Sequence, residues 1–529
     1  MKTPRRLFAA LALTALVAAP ALAQKSGGVL RIPSSNTPAS MSIHEESTRF
    51  AVTPAMGVFN NIVLFDQHEK QNTFDSIRPE LAESWSWDDA GTALTFKLRH
   101  GVKWHDGKPF SAKDVKCTWD LVAGKSAEKL RVNPRKSWYR NLREVSVSGD
   151  DEVTFHLNQP QPSLLALLAS GASPVYPCHV SPAQMRQRPI GTGPFKFVEF
   201  KANEGVKLSR NPEYWKPGRP YLDGIEYTVV PNVSTQMLAF AAGKFDMSFP
   251  YSVSIPLLKD VKAQLPEANC EVTLDNGSRT VIVNRTAKPF DNPELRRAMA
   301  LALDRQAFID ILSEGQGVTG ATLLPPPEGI WGMPREMLTT LPGYDADVAR
   351  RRAEARKIME GVGYGPDKRL PVTVTTRNTP GYRDPAVILI SQLKEIYIDG
   401  QLDALDTPIY FPKLLRKDYT VGMAITETAL DDPDQMFFEN YVCGADRNYT
   451  GYCDPEFDKL VERQSAETDV EKRRKLVWEI ERKLASDLAR PVIFYTRYAT
   501  CWQPRVQGLT LMVNSLFNGW RMEDVWLDQ

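Results

Sequence analysis

This chain of 529 residues has no Cys-x-x-Cys pair, no surplus of basic charge and, beyond residue 23, no run of 18 uninterrupted apolar residues. The first absence removes thioredoxin-type redox chemistry and the close thiolate pairs of structural zinc sites. Near parity of 65 basic and 64 acidic residues removes the electrostatic footprint of a nucleic-acid binder. The third leaves nothing of the length, about 20 residues, that a membrane-crossing helix needs. Catalytic patterns are missing as well. There is no Gly-x-Ser-x-Gly elbow, and His44-Glu45-Glu46 lacks the second histidine that a zinc-hydrolase helix requires. Gly124-Lys125-Ser126 copies the end of a phosphate-binding loop, but Trp119 stands where the first glycine is needed, so a helix-end turn is expected instead. The histidines (His44, His68, His100, His105, His156 and His179) include no i, i+4 pair. Neither a metal nor a cofactor is expected, and the chain reads as a non-enzyme.

What is present begins with a targeting pattern. Lys2, Arg5 and Arg6 precede an apolar stretch over 7–19, which ends in Ala21-Leu22-Ala23, a small-x-small cleavage site. Residues 1–23 therefore read as a signal peptide and the mature chain as a soluble periplasmic protein, with the Arg5-Arg6 pair leaving twin-arginine export open beside the general route. Loss of those three basic residues turns the balance slightly acidic. A chain this long exceeds one ordinary core, so two or three compact units are expected. Six cysteines in an exported chain favour disulfides. Cys443 and Cys453 form the best local pair, since the turn-rich segment 444–452 is all that separates them.

Alternating apolar residues predict strands over 94–99 and 153–157, with further strands at 224–230, 280–284, 370–375 and 491–495. Helices interleave with them: one over 293–313, capped by Asn292 and ended by Gly315, and a pair over 455–465 and 469–487. The last is expected to open on a Thr468-x-x-Glu471 capping box, with Val477, Ile480, Leu484 and Leu488 on its apolar face. Proline-rich breaks fall at 159–162, 325–327 and 408–412. Mixed strands and helices throughout indicate an α/β protein.

Five motifs in order then carry a resemblance. They are Pro79-Glu-Leu-Ala-Glu-Ser-Trp85 with the segment 94–115, Gly191-Thr-Gly-Pro-Phe195 with Asn211-Pro-Glu-Tyr-Trp215, Pro289-Phe290 with the segment 295–304, Asp432-Pro-Asp434 with Asn448, and Asp454-Pro-Glu-Phe-Asp-Lys-Leu460. In this series the chain resembles the peptide/nickel-type (family 5) extracytoplasmic solute-binding proteins of ABC transporters, from about residue 29 to the C-terminus. The resemblance implies a two-lobed periplasmic-binding-protein fold of type II, in the large peptide-binder class. Residues 24–65, 190–278 and 500–529 would form lobe I, 66–189 an extra subdomain on it, and 279–499 lobe II. On that map Cys270 and Cys501 fall together near the crossings, and Cys117 with Cys178 is the remaining pairing.

The implied function is that of a substrate-binding subunit, a monomer that clamps a small molecule between its lobes and delivers it to ABC permease subunits driven by a cytoplasmic ATPase. A peptide-class guest leads; an opine, sugar, aromatic acid or metal chelate is the alternative, and a secreted hydrolase the third reading. Peptide-binding relatives hold the guest's amino group with an Asp four residues before the proline of Asp-Pro-Asp, where this chain has Ala429. Candidate ligand-binding residues are therefore the loop residues Thr426, Glu427, Thr428, Ala429, Asp431 and Asp432, together with Trp331, Tyr410, Arg279, His44 and Cys117. Cys117 takes the place of a pocket-lining aromatic, and pairing it with Cys178 would compete with that role.

Overall fold

The computed structural model describes residues 24–528; the expected signal peptide over 1–23 lies outside them. Three larger sheets organise the chain. The first joins Val29–Ser34, Gly224–Val229, Gly205–Arg210 and Phe195–Lys201 in that spatial order, with the first pair parallel. The second is an antiparallel sheet in the order Ala82–Trp87, Ala93–Leu98, Glu152–Leu157, Leu142–Ser148. Its register sets Leu94 opposite Phe155 and Phe96 opposite Val153, so the alternation visible in the sequence puts all four on one buried face. Helix Ala112–Val122 covers that face. Ser111 and Asp114 close its start as a capping box, and Gly107, with φ of 86°, makes the tight turn before it.

The third sheet has the order Ile398–Leu405, Leu370–Arg377, Val421–Thr426, Asn269–Val283, Val492–Trp502. Its last two strands, of 15 and 11 residues, are much longer than the segments 280–284 and 491–495 predicted for them. They pair antiparallel from Asn269 opposite Trp502 to Thr280 opposite Val492, with the register interrupted between Leu274 and Ser278. The expected lobe crossings at 278/279 and 499/500 both fall inside this ladder.

Two helix boundaries differ from expectation. The segment 293–313 is two helices, Pro293–Ala302 and Arg305–Ser313, because the Asp304 carboxylate caps the second by accepting from the Ala307 N–H (3.1 Å). Helix Val470–Ser486 opens on Asp469, which accepts from the Lys472 N–H (2.9 Å), rather than on a Thr468 box. Nor is 408–412 a break: Pro408 sits in the first turn of helix Thr407–Leu415, where its missing N–H costs nothing.

All three disulfides form: Cys117–Cys178, Cys270–Cys501 and Cys443–Cys453. The largest apolar core gathers residues from 30 to 251 and from 506 to 527, and it also takes in Ala429 and Leu430. Those two belong by sequence to the third sheet's region, whose own core is built from residues 281–494. The segment after strand Val421–Thr426 thus reaches across and plugs into the other body. Burying Leu430 alone contributes about 1.5–3 kcal/mol to that contact.

Candidate functional site

The plug is surrounded by polar groups, nearly all of which are already engaged. Thr426 Oγ1 accepts from Arg490 Nη1 (3.0 Å), and the Thr428 carbonyl accepts from Asn276 Nδ2 (2.8 Å). Ala429 spends its N–H on Gln435 Oε1 (2.8 Å) and its carbonyl on Ser515 Oγ (2.9 Å). Asp431 Oδ2 accepts from the Ile330 N–H (2.7 Å) and from Asn514 Nδ2 (3.3 Å). Asp432 caps helix Pro433–Asn440 and is gripped by both ends of the Arg473 fork (3.0 and 2.9 Å). Glu427 alone on this loop has a carboxylate without a hydrogen bond or ion pair among the described residues. Burial and the neighbouring Asp275 push it up, against the pull of Arg49, Arg279 and Arg377.

Arg279 faces this end of the loop from the long strand, where its neighbour Ser278 pairs with Thr426. Its Nη1 donates to Asp275 (2.9 Å) and to the Gly277 carbonyl (2.7 Å), and its Nη2 to the Tyr498 hydroxyl (3.1 Å). Arg279, Thr426 and Glu427 are thus brought together, in a neighbourhood completed by Asp275, Arg377, Tyr382 and Tyr498, none of which the sequence singled out. Tyr410 lies behind it, fully buried and donating to the Met423 carbonyl (2.7 Å).

The other candidates sit elsewhere. His44 is buried with its Nε2 on the Pro174 carbonyl (2.8 Å) and its ring edge-on to Tyr176; burial holds its pKa down to about 3, so it stays neutral. Trp331 belongs to a separate apolar core, its ring under the Arg473 guanidinium at 4.6 Å. Cys117 differs from the expectation of a buried pocket wall: it is exposed and bonded to Cys178, on the side of helix Ala112–Val122 away from the core.

Asp434, the second acid of Asp432-Pro-Asp434, accepts from two sides. Gln161 Nε2 (3.2 Å) and Ser163 Oγ (2.5 Å) reach it from the second sheet's region, while Gln464 Nε2 (2.5 Å), Ser465 Oγ (2.6 Å) and Arg473 (3.3 Å) reach it from its own. Trp138 Nε1 similarly donates to Glu439 (3.3 Å), and Arg140 pairs with Glu462 at 2.8 Å.

Burial raises the Asp431 carboxyl to about 7. An unfolded aspartate loses its proton near 4, so the folded protein holds more protons over the interval between. Its contribution to stability is complete below about pH 4 and is lost as pH rises through 7. Asn at this position keeps an oxygen for both donors and carries no charge. Asp431→Asn is therefore expected to leave the urea midpoint nearly unchanged at pH 4 and to raise stability at pH 8.5 by on the order of 4 kcal/mol, the interval from about 4 to about 7 at about 1.4 kcal/mol per pH unit. Equal midpoints of variant and wild type at both pH values would show that Asp431 is not desolvated.

Residues 76–449 match the family model described as the bacterial extracellular solute-binding proteins, family 5 middle. A probable di/tripeptide-binding protein 5 of Pseudomonas aeruginosa strain UCBPP-PA14 is 26% identical over 477 residues, covering 83% of this chain and 85% of the relative. Among solved structures, the periplasmic binding protein DppA of Helicobacter pylori in complex with the peptide STSA superposes with a TM-score of 0.83 at 21% identity, covering 96% of this chain and 99% of that one. AgaA of A. tumefaciens R10 in complex with agropinic acid gives a TM-score of 0.80 at 20% identity, over 95% of this chain and 99% of that one. The fold is that of these two-lobed α/β proteins. Among the described residues no helix is long and apolar enough to cross a membrane.

Proposed function

Because the chain belongs to the bacterial extracellular solute-binding proteins of family 5, we propose that it is the substrate-binding subunit of an ABC importer, capturing a peptide-class solute and passing it unchanged to a membrane permease. The peptide reading rests on what the relatives are named for binding. Export to the periplasm through residues 1–23, action as a monomer, and partnership with two permease subunits and a cytoplasmic ATPase belong to the same proposal. So does the lobe map, with lobe I and its subdomain on one side, 279–499 on the other, and the paired strands Asn269–Val283 and Val492–Trp502 as the hinge.

The observation that carries it is the plug. Ala429 and Leu430, which follow strand Val421–Thr426, are buried in the core gathered from residues 30–251 and 506–527, and Ser515 donates to the Ala429 carbonyl from that side. Hinge closure of this kind couples capture to shape. A guest touching both lobes favours the closed form only by its differential affinity, and about 5.5 kcal/mol moves a 1:99 population to 99:1.

A non-peptide solute such as an opine is the second reading. It is favoured by Ala429, which stands where peptide-binding relatives carry an acid and whose own polar groups are used internally. Thermal shift against di- and oligopeptides, opines and sugars separates the two. A true guest at 100 times its Kd is expected to add about 2.7 kcal/mol of stability, to contract the X-ray scattering curve and to be recovered intact. Stabilisation by opines alone would remove the peptide class, and recovery of a cleaved guest would remove the transport role.

A further inference from the structure

Residues 24–28 are fastened to the body of the protein. The Gly27 N–H donates to the Tyr221 carbonyl (2.8 Å), the Gly28 N–H to Asp223 Oδ2 (2.9 Å) and the Asp223 N–H to the Gly28 carbonyl (2.8 Å), before Val29–Ser34 runs on as a strand beside Gly224–Val229. Lys25 Nζ pairs with Asp528 Oδ1 at 2.5 Å. These contacts set Gln24 against Tyr221, whose hydroxyl donates to Gln24 Oε1. Tyr221 is itself held by its carbonyl, which accepts from Arg210 Nη2 as well as from Gly27.

Gln24 is also the residue that follows Ala21-Leu22-Ala23, the small-x-small cleavage pattern. Cleavage there gives Gln24 a free α-amino group, and an N-terminal glutamine carries both partners of a ring closure in one residue. The neutral amine attacks the side-chain Cδ, so that a bond forms between the α-nitrogen and Cδ and a five-membered lactam closes. The bond from Cδ to Nε2 breaks, an amine proton passes to the departing nitrogen, and ammonia leaves. Negative charge develops on Oε1 during the attack, and Oε1 is the atom to which the Tyr221 hydroxyl already donates. The same oxygen ends as the lactam carbonyl, so one hydrogen bond serves reactant, tetrahedral intermediate and product in turn.

We propose that Gln24 of the mature protein is a modification site, converted to pyroglutamate with the Tyr221 hydroxyl assisting the closure. The mature N-terminus is then an uncharged lactam, closed to exopeptidases that require a free α-amine. Because the amine must be unprotonated to attack, closure speeds up as pH rises toward about 8, the ordinary range of an α-amino group. This inference rests on export with cleavage after Ala23 and is independent of which guest the protein carries.

Two measurements test it. In the first, the full-length chain is exported by a bacterial host, and the N-terminal peptide of the purified protein is weighed. It is expected to begin at residue 24 and to be lighter than the glutamine form by about 17 Da, the mass of ammonia. In the second, the mature chain is released from an N-terminal fusion by a protease that leaves Gln24 first, alongside its Tyr221→Phe variant and a synthetic peptide of residues 24–33, which has the glutamine without the tyrosine. Wild type is expected to lose ammonia about 3- to 10-fold faster than either, the effect of one hydrogen bond on the reacting carbonyl, and faster at about pH 8 than at about pH 6. The peptide comparison is informative whether or not the variant folds. An exported chain that begins at residue 24 with its amine free overturns the modification, and one that begins elsewhere overturns it together with the expected cleavage. Equal rates for wild type and peptide, or for wild type and Tyr221→Phe, overturn the part given to Tyr221.

Discussion

Arg473→Met is expected to cost about 3–5 kcal/mol in urea unfolding, the largest loss from any single substitution considered for this chain. Arg473, Asp432 and Asp434 are each about 2% exposed. The guanidinium meets both oxygens of Asp432 and one of Asp434, gives its Nε to Gln464 Oε1 (3.1 Å), and stacks on Trp331. A methionine fills much of the volume but leaves two carboxylates buried beside one another without a cation. Burial already holds Asp432 above its ordinary range with Arg473 in place, so the pair is no stability surplus over an apolar replacement of all its members. The expected loss comes from breaking one side only. A variant with an unchanged urea midpoint and slope would show that water reaches these acids.

The second large effect is expected at the Cys270–Cys501 bridge, whose cysteines face each other in register on the two long strands and lie 231 residues apart in sequence. On the chain-entropy account, closing a loop of that length removes enough freedom from the unfolded chain to be worth about 5 kcal/mol, against about 3 kcal/mol for Cys443–Cys453 with a separation of 10. Cys270→Ala with Cys501→Ala should therefore lower the denaturant midpoint clearly more than the corresponding change at Cys443 and Cys453. Equal losses from the two double variants would show that loop entropy is not what the longer bridge supplies.

The sheets were legible because their signal is local. Alternation at Leu94, Phe96 and Leu98 and at Val153, Phe155 and Leu157 survives directly as a buried face. The long strands were read short because most of Asn269–Val283 is polar or small, and its pairing with Val492–Trp502 is decided by residues more than two hundred positions away. Asp304 hid a helix boundary inside continuous apolar periodicity; a capping residue in mid-pattern was the available sign. Arg473 had a sign too: it lies on the stripe with Val477, Ile480 and Leu484, where a charge implies a buried partner. The sequence could offer Glu427, Asp431 and Asp432 only as equals. Ile330, Asn514 and Arg473, which engage the last two and so single out the first, arrive from 41 to 101 residues away. Cys117 went astray for a related reason, since which side of its helix meets the sheet is a tertiary fact.

On the proposed lobe map, Asp434 is the feature whose design would matter most as the two halves part. Withdrawal of Gln161 and Ser163 would strip it of two uncharged donors, each worth about 1.5–3 kcal/mol net because the acceptor is a carboxylate, while Arg473, Gln464 and Ser465 would travel with it. The anion is never orphaned, so this fastening can come undone and remake itself many times without exposing a bare charge to a dry surface. A clasp built from a cation on one lobe and an anion on the other would hold harder and let go far more slowly, which would defeat a carrier that must empty itself on every cycle.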